Sequence, residues 1–139
     1  MADIYDLHRF IAAQDPVYEQ VCTELSQGRK VNHWMWFVFP QISGLGHSPM
    51  AIKYAIFGRD EAVAYARHSI LGPRLRNCTR LVTAIEGKTL RDIFGEPDDV
   101  KFCSSMTLFA QTTDENQDFL EALVKYCGGE QDRMTLERL

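Results

Sequence analysis

The 139-residue chain has no apolar stretch near the roughly 20 residues that a membrane-spanning helix needs, so no membrane partner is expected. Its first residues, Met1-Ala2-Asp3-Ile4-Tyr5-Asp6, lack the basic start and apolar run of a signal peptide, which makes the cytoplasm the expected compartment. No two of Cys22, Cys78, Cys103 and Cys127 form C-x-x-C. The paired ligand spacing of a zinc site is therefore missing, no metal or cofactor is expected, and the default is four reduced thiols, some buried as small apolar side chains. Surplus positive charge is missing too. Fifteen Lys+Arg against 19 Asp+Glu leave a net charge of −4, so no global basic field exists to attract nucleic acid. No Gly-x-Ser-x-Gly elbow surrounds Ser104, Ser105 or Thr107, which argues against a serine hydrolase. Internal repeats, low-complexity tracts, linkers and alternating strand patterns are absent or nearly so.

Helix signals are plentiful. Hydrophobic residues make up 45% and charged residues 24%, ordinary for one packed domain spanning 1–139. Ile4, Leu7 and Ile11 recur at helical spacing; Asp15 and Pro16 suit the start of a second helix whose face is Val17, Val21 and Leu25, with Gly28 as its stop. Ser48-Pro49 opens a helix with Met50, Tyr54 and Phe57 on one face, and Asp60 can cap another over 61–67. Pro73 opens the clearest helix, to Glu86, with Leu75, Cys78, Leu81, Val82 and Ile85 as its stripe. A short turn near Thr89-Leu90-Arg91-Asp92, a compact partly apolar stretch over 100–110, an amphipathic helix from Phe119 to Cys127 and a final turn over 134–139 complete the pass. The expected fold is all-α, a single compact domain of about six or seven short helices.

The run His33-Trp34-Met35-Trp36-Phe37-Val38-Phe39-Pro40 departs from this pattern. It holds both tryptophans, and a glycine-punctuated loop follows it, Gln41-Ile42-Ser43-Gly44-Leu45-Gly46-His47-Ser48. Propensity alone makes residues 34–39 a buried strand. Periodicity does not decide, because both faces are apolar, and Pro40 ends the element either way.

The same run, with Gly44-Leu45-Gly46-His47-Ser48, Leu71-Gly72-Pro73-Arg74-Leu75, Asp92-Ile93-Phe94-Gly95, Asp98-Asp99, Lys101-Phe102 and Ser104-Ser105-Met106-Thr107-Leu108-Phe109, resembles a mostly bacterial family catalogued as domain of unknown function 1810. The resemblance covers nearly the whole chain. It implies a mainly α-helical single domain, which argues against the strand, and it carries no catalytic assignments. Members are sometimes labelled calpastatin-like, but calpastatin inhibitory segments are disordered until bound, whereas this composition supports a core.

The candidate chemistry gathers where the aromatic run meets the loop. Glycines let backbone approach a ligand, and a helix start at Ser48 offers N–H groups to an anion, with His47 beside it; the plainer reading is a loop with a capping serine. His33 is a candidate general base, or a structural histidine. One tryptophan, with Phe37 or Phe39, is a candidate face for stacking on a planar ligand, with Trp36 the one placed in the pocket beside Gln41, unless both tryptophans simply pack. Asp98 and Asp99 are candidates to hold a hard cation or to serve as acid and base, or they cap a helix after Pro97. From their place in the motifs of the family resemblance, Arg74 and Lys101 are the basic residues expected near a bound anion. The leading expectation is a small anionic, nucleotide-like ligand bound by Trp36, Gln41, Ser48, Arg74 and Lys101. If the protein is an enzyme, His33, His47 and Asp98 would serve hydrolysis or transfer at a glycosidic or phosphoryl centre, as in an N-glycosidase. The alternative is a non-catalytic protein-interaction module that presents Trp34 or Trp36. The assembly is expected to be a monomer or a homodimer.

Overall fold

A computed structural model of the chain describes residues 2–139, and among them the fold is helical throughout, with no strand. The helices are α1 (His8–Gln14), α2 (Tyr18–Ser26), α3 (Met35–Val38), α4 (Pro49–Lys53), α5 (Arg59–Arg67), α6 (Leu71–Thr83), α7 (Leu90–Phe94), α8 (Asp98–Thr112), α9 (Gln117–Tyr126) and α10 (Arg133–Glu137). Six of these, α1, α2, α5, α6, α8 and α9, are seven residues or longer, in line with the expected six or seven. The others are single turns.

Local chemistry sets several boundaries. The Ser48 hydroxyl accepts from Ala51 N at 3.1 Å, with Pro49 in the first turn where no N–H is needed. Thr89 and Asp92 form a reciprocal capping box at the start of α7. Other starts are displaced. Asp15 ends α1 instead of capping α2, its N–H reaching Ile11 O, and α2 begins only at Tyr18. Gly58 occupies the cap position of α5, which leaves Asp60 and Glu61 in the first turn, where carboxylates oppose the helix dipole. Pro73 falls inside the first turn of α6, two residues later than the helix start. Met50, Tyr54 and Phe57 do not share a face, because α4 stops at Lys53: Tyr54 turns into the core and Phe57 out to solvent.

Helix α8 is the central post, packed against α5, α7, α9 and α10. Phe102, Met106, Leu108 and Phe109 are fully buried, and so are Ser105 and Thr107. Small hydroxyl residues let neighbours close in on every side of the helix. Thr107 and Thr112 satisfy their hydroxyls locally, donating to the carbonyls of Cys103 and Leu108 at 2.8 Å, whereas the buried Ser105 hydroxyl has no hydrogen-bond partner among the described residues.

The aromatic run is not a strand. Met35–Val38 is one helical turn entered through Trp34. Trp34, Phe39, Phe94 and Phe102 form one aromatic cluster, with Phe39 edge-on to Phe102 at 5.1 Å and Phe94 stacked on it at the same distance. Packing on all sides overrode the strand propensity, and it also explains why the run shows no period.

The cysteines depart from expectation. Cys103 on α8 and Cys127 at the end of α9 are joined in a disulfide, with Cα atoms 6.1 Å apart, while Cys22 and Cys78 are free. The pair lies 24 residues apart in sequence and meets because α8 and α9 pack side by side. Absence of C-x-x-C bears on metal ligation, not on a bridge between packed helices.

Candidate functional site

The site is built on a buried carboxylate. Glu24 lies on α2 at 5% exposure, and the chain turns back over it after Gly28, whose φ is +79°. Its two oxygens accept from Val31 N (2.6 Å), Asn32 N (3.0 Å), Asn32 Nδ2 (2.8 Å), Trp34 Nε1 (3.0 Å) and Gln20 Nε2 (3.1 Å). Burial alone raises this carboxyl, but the hydrogen bonds from Asn32, Val31 and Trp34 outweigh it and bring it down to about 2. Five donors on one charge fix the entry into the aromatic run and seat Trp34 in the core, 1% exposed. Trp34 therefore has no face to present to a partner.

Two lysines flank the run and share a single carboxylate. Lys30 Nζ stands 5.4 Å from the Trp34 ring centroid and 2.9 Å from Asp98 Oδ2. Lys101 Nζ stands 5.9 Å from the Trp36 centroid and 3.7 Å from Asp98 Oδ1. The trio carries one net positive charge. Asp98 is closer to Lys30, so the unneutralised part rests on Lys101, over the half-buried Trp36.

Met35, Trp36, Phe39, Gln41, Ala51, Tyr54 and Lys101 surround a small hollow here, of about 10 Å3, room for about one water. Its cover is the excursion over residues 43–55. Both ends of that excursion are fastened: Ile42 and Ile56 pair in a parallel bridge, Ser43 N donates to Ile56 O at 2.8 Å, and Ile56 N donates to Gln41 O at 2.9 Å. Between those points α4 buries none of its residues. Gly46 seats the loop closely, since a Cβ there would stand 2.7 Å from the Ala51 Cβ and 3.3 Å from Gln41 Nε2.

The structure thus brings Trp36, Gln41, Lys101 and Asp98 together. Ser48 and His47 are exposed on the covering excursion, and the Ser48 hydroxyl is engaged as the cap of α4. His33 is exposed and does not line the hollow. Arg74 belongs to another neighbourhood: it pairs with Asp15 at 2.9 Å, lies 4.8 Å from the Tyr18 ring centroid, and reaches Gln14 Oε1 at 3.5 Å. Sequence reasoning passed over Glu24, Lys30, Ala51 and Tyr54. Glu24 had a signal, since it interrupts the Val21–Leu25 apolar stripe of α2 with a charge. Among the described residues no group of three or more His, Cys, Asp or Glu could hold a metal ion, and no helix is long and apolar enough to cross a membrane.

Comparison with known proteins agrees with this architecture. The profile of a family described as "protein of unknown function (DUF1810)" matches residues 4–139. A solved structure, the "crystal structure of the conserved hypothetical protein Rv1873 from Mycobacterium tuberculosis at 1.38 A", is 57% identical, covers 99% of this chain and 98% of its own, and superposes with a TM-score of 0.97. No curated protein matches.

Proposed function

The chain belongs to that DUF1810 family, and we propose that it binds a small anionic, nucleotide-like ligand between Trp36, Gln41 and Lys101, beneath the 43–55 excursion. One observation carries the reading: a single carboxylate, Asp98, serves two ammonium groups and lies nearer to Lys30, leaving charge on Lys101 beside an aromatic face and an amide. A phosphate or carboxylate completes the neutralisation of Lys101, a planar ring stacks on Trp36, and the Gln41 amide offers one donor and one acceptor for an edge. The hollow holds about one water, so the ligand enters by displacing the cover. The part free to yield is residues 49–52, exposed or half-buried, whereas the Lys53 carbonyl is held by Arg9 and Tyr54 is buried in the core.

The reading is binding rather than turnover. Asp98 is committed to two lysines, and neither His33 nor His47 lines the hollow. Transfer or hydrolysis at a glycosidic centre becomes the better reading only if a ligand draws His47 inward with the cover. The setting we propose is the bacterial cytoplasm.

The test is a thermal-shift panel of nucleotides, ADP-ribose and sugar phosphates. A ligand at a hundred times its Kd stabilises the folded state by about 2.7 kcal/mol, well within range of the method. One phosphorylated class is expected to raise Tm, with the shift abolished by Lys101→Met and reduced by Trp36→Leu. No shift across the panel, or a shift that survives Lys101→Met, refutes the proposal.

A further inference from the structure

The most exposed large apolar side chain among the described residues lies outside this site. Phe57 is 86% exposed, and Ile4 at 77% and Ile52 at 65% line the same face. Such exposure on a loose loop would mean little, but this segment is braced. The Arg9 guanidinium donates to the carbonyls of Lys53 (2.8 Å) and Ala55 (2.9 Å) and pairs with Glu61 at 2.8 Å, and the other Glu61 oxygen accepts from Phe57 N at 3.1 Å. Arg9 also takes the Tyr5 and Asp6 carbonyls. A half-buried arginine and a buried glutamate thus hold residues 53–57 against the N-terminal segment, with the phenyl ring outside.

Phe57 stands between two hollows. One, about 640 Å3, is lined by Ile4, Tyr5, Ile52 and Ala55; the other, about 270 Å3, lies toward Gly58 and Asp60. A projecting aromatic and a recess beside it on one face is the arrangement that a two-fold axis can use, each ring entering the other copy's recess. The charges favour the same occupant. Around the two hollows Arg9, Lys53 and Arg59 face Asp6, Asp60 and Glu61, three cations against three anions. On a chain of net charge −4, this face holds both signs in equal number, so two copies can approach here without net like-charge repulsion.

We infer that this face is a two-fold interface between two copies of the chain, with Phe57 as the exchanged anchor. The interface needs about 800 Å2 from each partner, about a tenth of the 7483 Å2 surface of the chain, and a central aromatic anchor contributes more than its share of the binding energy.

Sedimentation equilibrium over a dilution series tests it. The wild type is expected to approach twice the 15.9 kDa chain mass as concentration rises. Phe57→Asp should stay monomeric over the whole series with an unchanged circular-dichroism spectrum, since the side chain has no core contact to lose. Val124→Asp, at 71% exposure on α9, should dimerise like the wild type. A wild type that is monomeric throughout, a Phe57→Asp variant that still dimerises, or a Val124→Asp variant that does not, overturns the inference.

Discussion

Replacing Glu24 by glutamine separates the buried carboxylate from everything else that titrates in acid. The folded-state carboxyl lies at about 2, against an ordinary value of 4.5. Because the folded value is the lower one, the stabilisation is fully present above about pH 4.5 and is lost as pH falls through about 2. At 1.36 kcal/mol per pH unit, the drop from 4.5 to about 2 is worth about 3 kcal/mol. Glutamine keeps the size of the side chain and one acceptor oxygen. It turns the other oxygen into a donor facing Asn32 Nδ2 and Gln20 Nε2, which leaves both without an acceptor. Urea unfolding, followed by tryptophan fluorescence from about pH 7 downward, gives the two stability curves. Glu24→Gln is expected to be less stable than the wild type by about 3 kcal/mol near neutrality, and the curves should converge between about pH 4.5 and 2 as the wild-type carboxyl protonates. All other carboxylates are common to both proteins and cancel in the difference. Parallel curves over that window would refute the claim that five donors hold this charge.

Asp98→Asn leaves both lysines without their carboxylate, so it should tighten binding of a phosphorylated ligand several-fold by titration calorimetry; a weakened or unchanged affinity contradicts the assignment of surplus charge to Lys101. Because Lys30 is largely buried, the same variant should also unfold more readily, and Lys30→Met with Asp98→Asn should recover stability. Gly72→Ala should destabilise by about 3 kcal/mol, since a Cβ there overlaps the Ala66 carbonyl oxygen, a backbone atom that cannot swing aside; an unchanged urea midpoint counts against this packing of α5 on α6. Cys103→Ser with Cys127→Ser should cost roughly 3 kcal/mol from the 24-residue loop that the bridge closes, and reductant should affect the wild type but not the double variant.

The helices were legible in the sequence wherever one stripe faced the core and punctuation was local. α6 and α9 show this, and so do the Ser48 cap and the Thr89–Asp92 box. The aromatic run was not legible from its own residues. A segment buried on every side has no apolar period, and a single turn is too short to show one, so propensity pointed to a strand. The disulfide was hidden for a different reason. Residues 24 apart meet only through the α8–α9 packing, which no spacing rule contains.

The candidate site divides along the same line. Trp36, Gln41 and Lys101 do meet, although Lys101 is 60 residues beyond Gln41, and α8 carries it there. Arg74 lies instead with Asp15 and Tyr18. What separates the two basic residues is the charge nearby. Arg74 has a carboxylate of its own at 2.9 Å, whereas Lys101 shares one at 3.7 Å with a closer competitor. A cation whose partner is already taken is the better recruit for an anion, because binding there breaks no strong pair and adds one. The same accounting sets Glu24 apart from Asp98. Glu24 is saturated by donors and fixes the scaffold, and Asp98 is divided between two lysines and sets how much charge the hollow presents. The two carboxylates look alike in the sequence, and only the count of groups around each one assigns the roles.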